Sequence, residues 1–436
     1  MPKNIYQWDQ HSDQPHVIRS KTAKRKLYLR GAKGSVKTLL CSFILPLTAL
    51  RALLDKRRGP QLKINNIGLC VNIDEPLPEK KVVDTQSLCN MVSELGVDNL
   101  LIRLPLADIK NLEEHLNFIA SFANKNILIC ILQDRRHIED HSLLENSLRL
   151  IFSALEKHCL QYQIGNAVNR RKWGFISLEE YFAFFAIAQT LRDNEFPHIK
   201  LLGSSIIDFE LPNFARSLYH RYPIKYDAVA ALLYVDRRGA PENKQLGVNL
   251  LGKINSFFSI ISSSKKSENE LLITETNWPL EGTEPFAPAV GECMVSEDMQ
   301  TAYLLRYYFL MFASGKVSMC YWHQLVAPGY GLVDNRNGEI RKREAFYAFK
   351  LLVTLFNNAQ LLTFEYHKST QLYRLSVRNS QGVVTALWTN ATTLEYSATN
   401  SSSVLSCTGK VMTQNAHEKI IISDHPTYLL DYNFET

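Results

Sequence analysis

The apolar run "LLITET" (271 to 276) closes on a lone carboxylate, Glu275. Desolvation at such a strand end penalises the charged form, and a nearby cation or tyrosine can keep it ionised. A carboxylate held that way can attack an anomeric carbon; the same residue type can equally form a structural ion pair with an arginine such as Arg103. Other apolar runs also end on polar or aromatic side chains: Asn72 and Asp74, Arg103, Gln133 and Asp134, Asn166, Asp208 and Glu210, Tyr234 and Asp236, and Trp322 with His323 and Gln324. Trp278 and Trp322 offer flat apolar faces against which a sugar ring can stack, or they fill a core.

Something must bring these ends together. The runs are "LKINNIGLCVNI", "NLLIRLPL", "NILICILQD", "LQYQIGN", "IKLLGSSIIDF", "YDAVAALLYVD", "ELLITET" and "KVSMCYWHQ". Near-continuous apolarity, rather than alternation, marks strands of a parallel sheet covered on both faces. Between them lie helical patterns such as "DTQSLCNMVSELG", where Leu88, Met91, Val92 and Leu95 follow the one-face spacing of a helix. Eight such βα units over residues 61 to 357 predict an α/β fold of the (β/α)8 barrel type, in which reactive groups collect at the C-terminal strand ends. A doubly wound open sheet competes, but no glycine-rich phosphate turn follows the first strand. From residue 358 the period changes to short strands such as "YRLSVRN", "VVTALWTN", "KVMT" and "EKIIIS", which predict a small antiparallel β sandwich over 358 to 436. The polar stretch "TNATTLEYSATNSSS" reads as a loop.

The first 60 residues are different. From Val17 to Gly59 twelve Lys or Arg stand against the single acid Asp55, a local +11 in a chain whose formal charge is +6. A basic character confined to one segment argues against a nucleic-acid-binding surface over the whole protein. "TLLCSFILPLTALRALL" is apolar but too short to span a bilayer and is interrupted by Pro46, so a helix lying on an anionic membrane surface is expected, or one packed on the main domain. The polar opening "MPKNIYQWDQHSDQPH" lacks the pattern of a cleavable signal peptide, and with eight cysteines in no CxxC or Cys/His spacing the expectation is a cytoplasmic protein with free thiols, peripheral on the inner face of the membrane. No metal or organic cofactor is expected.

In their order along the chain, "YQIGNAVN", "LLITETNWP", "CYWHQL", "GLVDNRNGEIRKREAFYAFKLL" and "HPTYLL" resemble motifs of the clan A glycoside hydrolases, in the region that includes β-xylosidases and iduronidases. The resemblance covers about residues 61 to 436. It implies a carbohydrate substrate, with Glu275 as the nucleophile and Asn166 as the asparagine that bonds a sugar 2-hydroxyl. Arg103, Tyr234, Asp236, Trp278 and Trp322 would complete the sugar subsite. The motif after the fourth strand should run Asn then Glu, that Glu being the general acid/base, but here the position is Ala167.

Double displacement needs both carboxyls, and loss of a general acid/base removes about 10²–10⁴ in rate. Asp208 and Glu210 are candidates to substitute for it. The alternative is a noncatalytic glycan-binding or scaffold protein of a polysaccharide assembly system. Arg170, Arg171 and Lys172 form a basic rim that would suit an anionic glycan, such as lipopolysaccharide or another bacterial surface polysaccharide.

Overall fold

The computed structural model describes residues 6–54, 63–235, 239–391, 393–398, 402–413 and 419–434. Eight parallel strands close into a barrel: β1 (Ile67–Cys70), β2 (Asn99–Pro105), β3 (Asn126–Leu132), β4 (Gln161–Ile164), β5 (Lys200–Ile207), β6 (Ala228–Leu232), β7 (Leu271–Thr276) and β8 (Met319–Trp322). Each strand pairs with its neighbour in sequence, and β8 returns to β1 through Trp322 opposite Leu69. Closure excludes the open doubly wound sheet.

Three short helices precede the barrel, α1 (Lys21–Arg30), α2 (Ala32–Cys41) and α3 (Leu45–Leu54). A helix follows each barrel strand: α4 (Thr85–Leu95), α5 (Leu112–Ala120), α6 (His141–Leu155), α7 (Leu178–Glu195), α8 (Leu211–Leu218), α9 (Leu250–Ser263), α10 (Glu297–Ser314) and α11 (Glu344–Phe356). Local sequence sets their ends. Asp84 caps α4 by accepting from the Ser87 amide at 2.8 Å, and Gly96 ends it at a φ of 66° that other residues adopt at a cost. The expected face, Leu88, Met91, Val92 and Leu95, is buried against the barrel wall, where each large apolar side chain contributes about 1.5–3 kcal/mol.

The C-terminal strands are β9 (Gln360–His367), β10 (Leu372–Arg378), β11 (Val383–Thr389), β12 (Leu394–Ser397), β13 (Ser403–Leu405), β14 (Val411–Thr413), β15 (Lys419–Ile422) and β16 (Thr427–Leu430). Six form an antiparallel sheet in the order β9-β10-β11-β16-β13-β14, and β12 pairs with β15 as a second sheet. Ile420 and Ile422 of the small sheet share a buried cluster with Leu387, Val404 and Leu429 of the large one, which makes a sandwich. The loop expected over "TNATTLEYSATNSSS" is in part a strand, β12: within that polar composition Leu394–Ser397 alternates, and that alternation suffices to pair it with β15. The sandwich meets the barrel at α10 and α11, where Trp388 packs on Phe309 and the buried Arg306 of α10 pairs with Glu242 and Asn390.

At the N-terminus two two-residue strands, Trp8–Asp9 and Gln14–Pro15, form a hairpin. Beyond it, Ala32–Arg51 is a continuous 20-residue helical stretch, long and apolar enough by length and composition to cross a membrane. This corrects the expectation of a run too short and broken at Pro46. The 3-10 turn Ser42–Ile44 lets the helix pass through the proline, because there the Leu45 amide already bonds back to Ser42 rather than one residue further. One face is tied to the barrel: Ser259 donates to the Thr48 carbonyl at 2.7 Å and Arg51 to Ser263 at 2.8 Å. The opposite face carries Val36, Leu39, Leu40, Phe43, Leu47 and Leu50 at helical spacing, all exposed, Phe43 by 79%. The eight cysteines are free, four of them buried and four half-buried.

Candidate functional site

Four of the residues singled out from the sequence converge at the C-terminal mouth of the barrel. Glu275 on β7 accepts from Arg103 Nη2 of β2 at 2.6 Å, from the Tyr234 hydroxyl beyond β6, and from Asn166 Nδ2 beyond β4 at 3.5 Å. Glu275 is 7% exposed and Arg103 6%, so this is a buried ion pair with added hydrogen bonds. Burial alone would lower the Arg103 guanidinium, but the facing carboxylates of Glu275 and then Asp13 more than offset it and hold its pKa above the ordinary value. A carboxylate oriented by a guanidinium, a phenol and an amide is positioned to act on an electrophile approaching along the barrel axis.

Asn166 is itself oriented. Its amide donates to Gln133 Oε1 at 2.9 Å, Gln133 Nε2 donates back to its carbonyl at 2.8 Å, and Gln163 Nε2 donates to its side-chain oxygen at 3.1 Å. With Oδ1 occupied, Nδ2 is the group turned to Glu275. Gly165, at a φ of 83°, makes the turn after β4 that aims this side chain inward. Gln133 ends an apolar run and was visible as such; Gln163 lies inside a strand and gave no sequence signal for a positioning role. Asn72 similarly supports β2 by accepting from the Arg103 amide at 3.0 Å and donating to Gln324.

The two tryptophans divide. Trp322 ends β8, and its buried indole N–H has no hydrogen-bond partner among the described residues. Trp278 lies behind it, ring centroids 6.0 Å apart and nearly parallel, with its own N–H donated to the Gly239 carbonyl at 3.0 Å. Trp278 is wholly buried among Tyr303, Tyr307 and Trp322, and Trp322 is buried as completely.

Asp208 and Glu210 were the candidates for the missing acid. Arg170 binds both carboxylates, and Asn169 and Asn213 also donate to Glu210. These acids are thus committed to a local cluster that neutralises Arg170. Asp236 lies outside the described residues. Ala167 is completely buried, at a φ of 46°.

The expected basic rim also contacts the N-terminal segment: Arg171 lies over the Tyr28 ring at 4.1 Å, and Lys172 donates to Gln14 at 2.7 Å. A cleft of about 530 Å³ separates α1 from the loop after β4, away from Glu275.

Asp13 is another residue the sequence did not signal. It sits at the tip of the N-terminal hairpin, where Arg103 Nη1 donates to its carboxylate at 3.0 Å and to its carbonyl at 3.3 Å. Trp8 meets Trp173 edge-on at 5.6 Å and Gln14 donates to the Pro288 carbonyl at 2.7 Å, which lays the hairpin across the barrel mouth.

No protein-family model matches this sequence, and no curated protein matches it. Solved structures do. A family 39 glycoside hydrolase from the gut symbiont Bacteroides cellulosilyticus WH2 superposes with a TM-score of 0.63 at 14% identity, over 84% of this chain and 80% of that one. A family 30 subfamily 8 xylanase from Clostridium acetobutylicum gives 0.57 at 10% identity, over 84% and 96%. A family 51 arabinofuranosidase from Xanthomonas axonopodis pv. citri gives 0.55 at 12% identity, over 85% and 97%. The chain therefore shares the barrel-and-sandwich fold of these glycoside hydrolases, the fold its motifs implied.

Proposed function

We propose that this protein is a glycoside hydrolase of the retaining type, acting on an oligo- or polysaccharide with Glu275 as nucleophile. The observation that carries the reading is the convergence on one buried carboxylate of Arg103, Tyr234 and Asn166, from three different strand ends. A structural ion pair needs only the arginine. In the reaction Glu275 attacks the anomeric carbon, Arg103 and Tyr234 hold its two oxygens apart for that attack, and Asn166 Nδ2 is placed to bond the neighbouring sugar hydroxyl. Trp322 supplies the apolar wall and an indole N–H for a sugar oxygen.

Turnover of activated dinitrophenyl glycosides of xylose, arabinose and glucuronic acid tests this. Wild type turns over at least one of them, and Glu275→Gln abolishes that turnover while saccharide binding persists. Ala167 at the acid/base position favours a second reading, a glycan-binding scaffold without catalysis. Saccharide binding with no turnover on the whole panel is the outcome that selects it.

We further propose that the exposed stripe Val36, Leu39, Leu40, Phe43, Leu47 and Leu50 lies in the surface of an anionic membrane. The opposite face is fastened to α9, so the helix lies along the barrel, and Lys21, Lys24, Arg25, Lys26, Lys33 and Lys37 precede or flank the stripe. The substrate in this reading is a surface glycan assembled at that membrane, such as lipopolysaccharide. Flotation with anionic and with neutral vesicles tests the membrane part. Binding to anionic vesicles that salt weakens and Phe43→Glu with Leu47→Glu abolishes is expected; equal recovery of wild type and variant refutes it.

A further inference from the structure

Ala167 leaves the fourth-strand site without a proton donor, and the acids beside it are bound to Arg170. Among the described residues, a further carboxyl shares Arg103 with Glu275, and it comes from outside the barrel. Asp13 and Glu275 occupy different terminal nitrogens of the same guanidinium, at 3.0 Å from Arg103 Nη1 and 2.6 Å from Nη2. One guanidinium shared between two carboxylates keeps them within the span of one sugar ring, and a retaining pair stands about 5 to 5.5 Å apart.

Resting on the reading of Glu275 as nucleophile, we infer that Asp13 is the acid/base of this site, delivered by the N-terminal hairpin in place of the residue missing at Ala167. In the first step Glu275 forms a bond to the anomeric carbon as the glycosidic C–O bond breaks. The proton of the Asp13 carboxyl passes to the departing oxygen. In the second, Asp13 as carboxylate takes a proton from water, the water oxygen bonds to the anomeric carbon, and the Glu275 ester bond breaks. Both carboxyls return to their starting states.

The surroundings suit the task. Burial raises the pKa of the Asp13 carboxyl, Arg103 opposes that, and Glu275 adds to it, so the proton is held more firmly than on a free aspartate. The tip backbone is left-handed, at a φ of 50°, which Asp and Asn tolerate better than most residues. Asn166 is 2% and Trp322 0% exposed, so a sugar needs the mouth to open, an opening we assign to the hairpin. Apart from the two Arg103 bonds to Asp13, which a bound sugar would compete with, the hairpin is held through Trp8 on Trp173, His11 on Phe286, and Gln14 with Lys172 and Pro288. Closing it again over a bound sugar returns Asp13 to the reacting bond and excludes bulk water, as mobile lids do in other enzymes.

The test uses the full chain and its Asp13→Ala and Asp13→Asn variants, the second preserving the tip conformation, with thermal melts confirming folding. Each is assayed on dinitrophenyl glycosides, whose leaving group needs little protonation, and on methylumbelliferyl or alkyl glycosides of the same sugar, which need it. The expected result is a loss of about 10²–10⁴-fold in kcat/KM on the poor leaving groups and a much smaller one on the activated substrate. Azide should raise turnover of the variants on the activated glycoside and leave a glycosyl azide as product. An equal loss on both leaving groups, no loss, or a gain in activity overturns the inference; a gain identifies the hairpin as a plug. Labelling with a dinitrophenyl 2-fluoro glycoside separates the two levels. Failure to label Glu275 in wild type removes the glycosidase reading and this inference with it, whereas labelling without leaving-group dependence removes only the role of Asp13.

Discussion

Replacing Arg103 with Met should unmask the electrostatic design of the site. Arg103 and Glu275 are both more than nine-tenths buried, so the substitution strands the Glu275 carboxylate without its cation and also removes the donor to Asp13. Two unit charges about 4 Å apart attract by about 4 kcal/mol at an effective dielectric constant of about 20. Breaking a buried pair by removing one partner costs about 3–5 kcal/mol, in agreement. The cost should depend on pH in a definite direction. Without its cation, a buried carboxylate has a folded-state pKa above the roughly 4.3 of the unfolded chain. The folded state then binds the extra proton in that window, so the variant loses stability as pH rises and recovers it as pH falls, by up to about 1.4 kcal/mol per pH unit for one group. Denaturant unfolding at pH 5 and pH 7 measures this. The variant should fall short of wild type by about 3–5 kcal/mol at pH 7 and by at least about 1 kcal/mol less at pH 5, and adding Glu275→Gln should restore much of the difference. A deficit under about 1 kcal/mol, or one independent of pH and of Glu275, would refute the picture of a carboxylate held charged by Arg103.

Two further outcomes follow from ionisable groups away from the site. Arg306→Met leaves the buried Glu242 without its cation at the junction of barrel and sandwich, and should cost about 3–5 kcal/mol by denaturant unfolding, with Glu242→Gln compensating in the double variant. Burial first, then Lys266 and Arg216, lower the His220 pKa to about 4, so unfolded chains take up a proton that the folded protein refuses between about pH 6.5 and 4. Stability therefore falls as pH drops through that window, by about 1 kcal/mol from pH 7 to 5 after allowance for partial exposure, and His220→Phe, packed against Phe182 as the ring now is, should flatten the fall.

The barrel was legible because its strands are buried on both faces, which leaves continuous apolar runs whose polar ends are conspicuous. Reading those ends as one ring of candidates was enough to bring Arg103, Asn166, Tyr234 and Glu275 into a single group, since strand ends of a closed barrel must meet. Side-chain direction was not legible. Trp278 stands three residues past Glu275, and nothing in the sequence shows that its ring stacks on Trp322 or that its N–H goes to the Gly239 carbonyl. Asp208 and Glu210 also stand at a strand end, but Arg170, only four residues beyond Asn166, captures them. Asp13 was hidden for a different reason: it belongs to no strand or periodic segment, and its contact with Arg103 spans 90 residues of sequence. The exposed apolar stripe was partly legible as basic and apolar composition, while the continuity of the helix past Pro46 depends on a local 3-10 turn that composition does not reveal.

The most direct measurement of the central claim is mass spectrometry of the protein after incubation with dinitrophenyl 2-fluoro glycosides of xylose, arabinose and glucuronic acid. The account predicts one covalent sugar, carried by the peptide containing Glu275 and absent from Glu275→Gln. An unmodified protein across the series, or a sugar attached elsewhere, would contradict it.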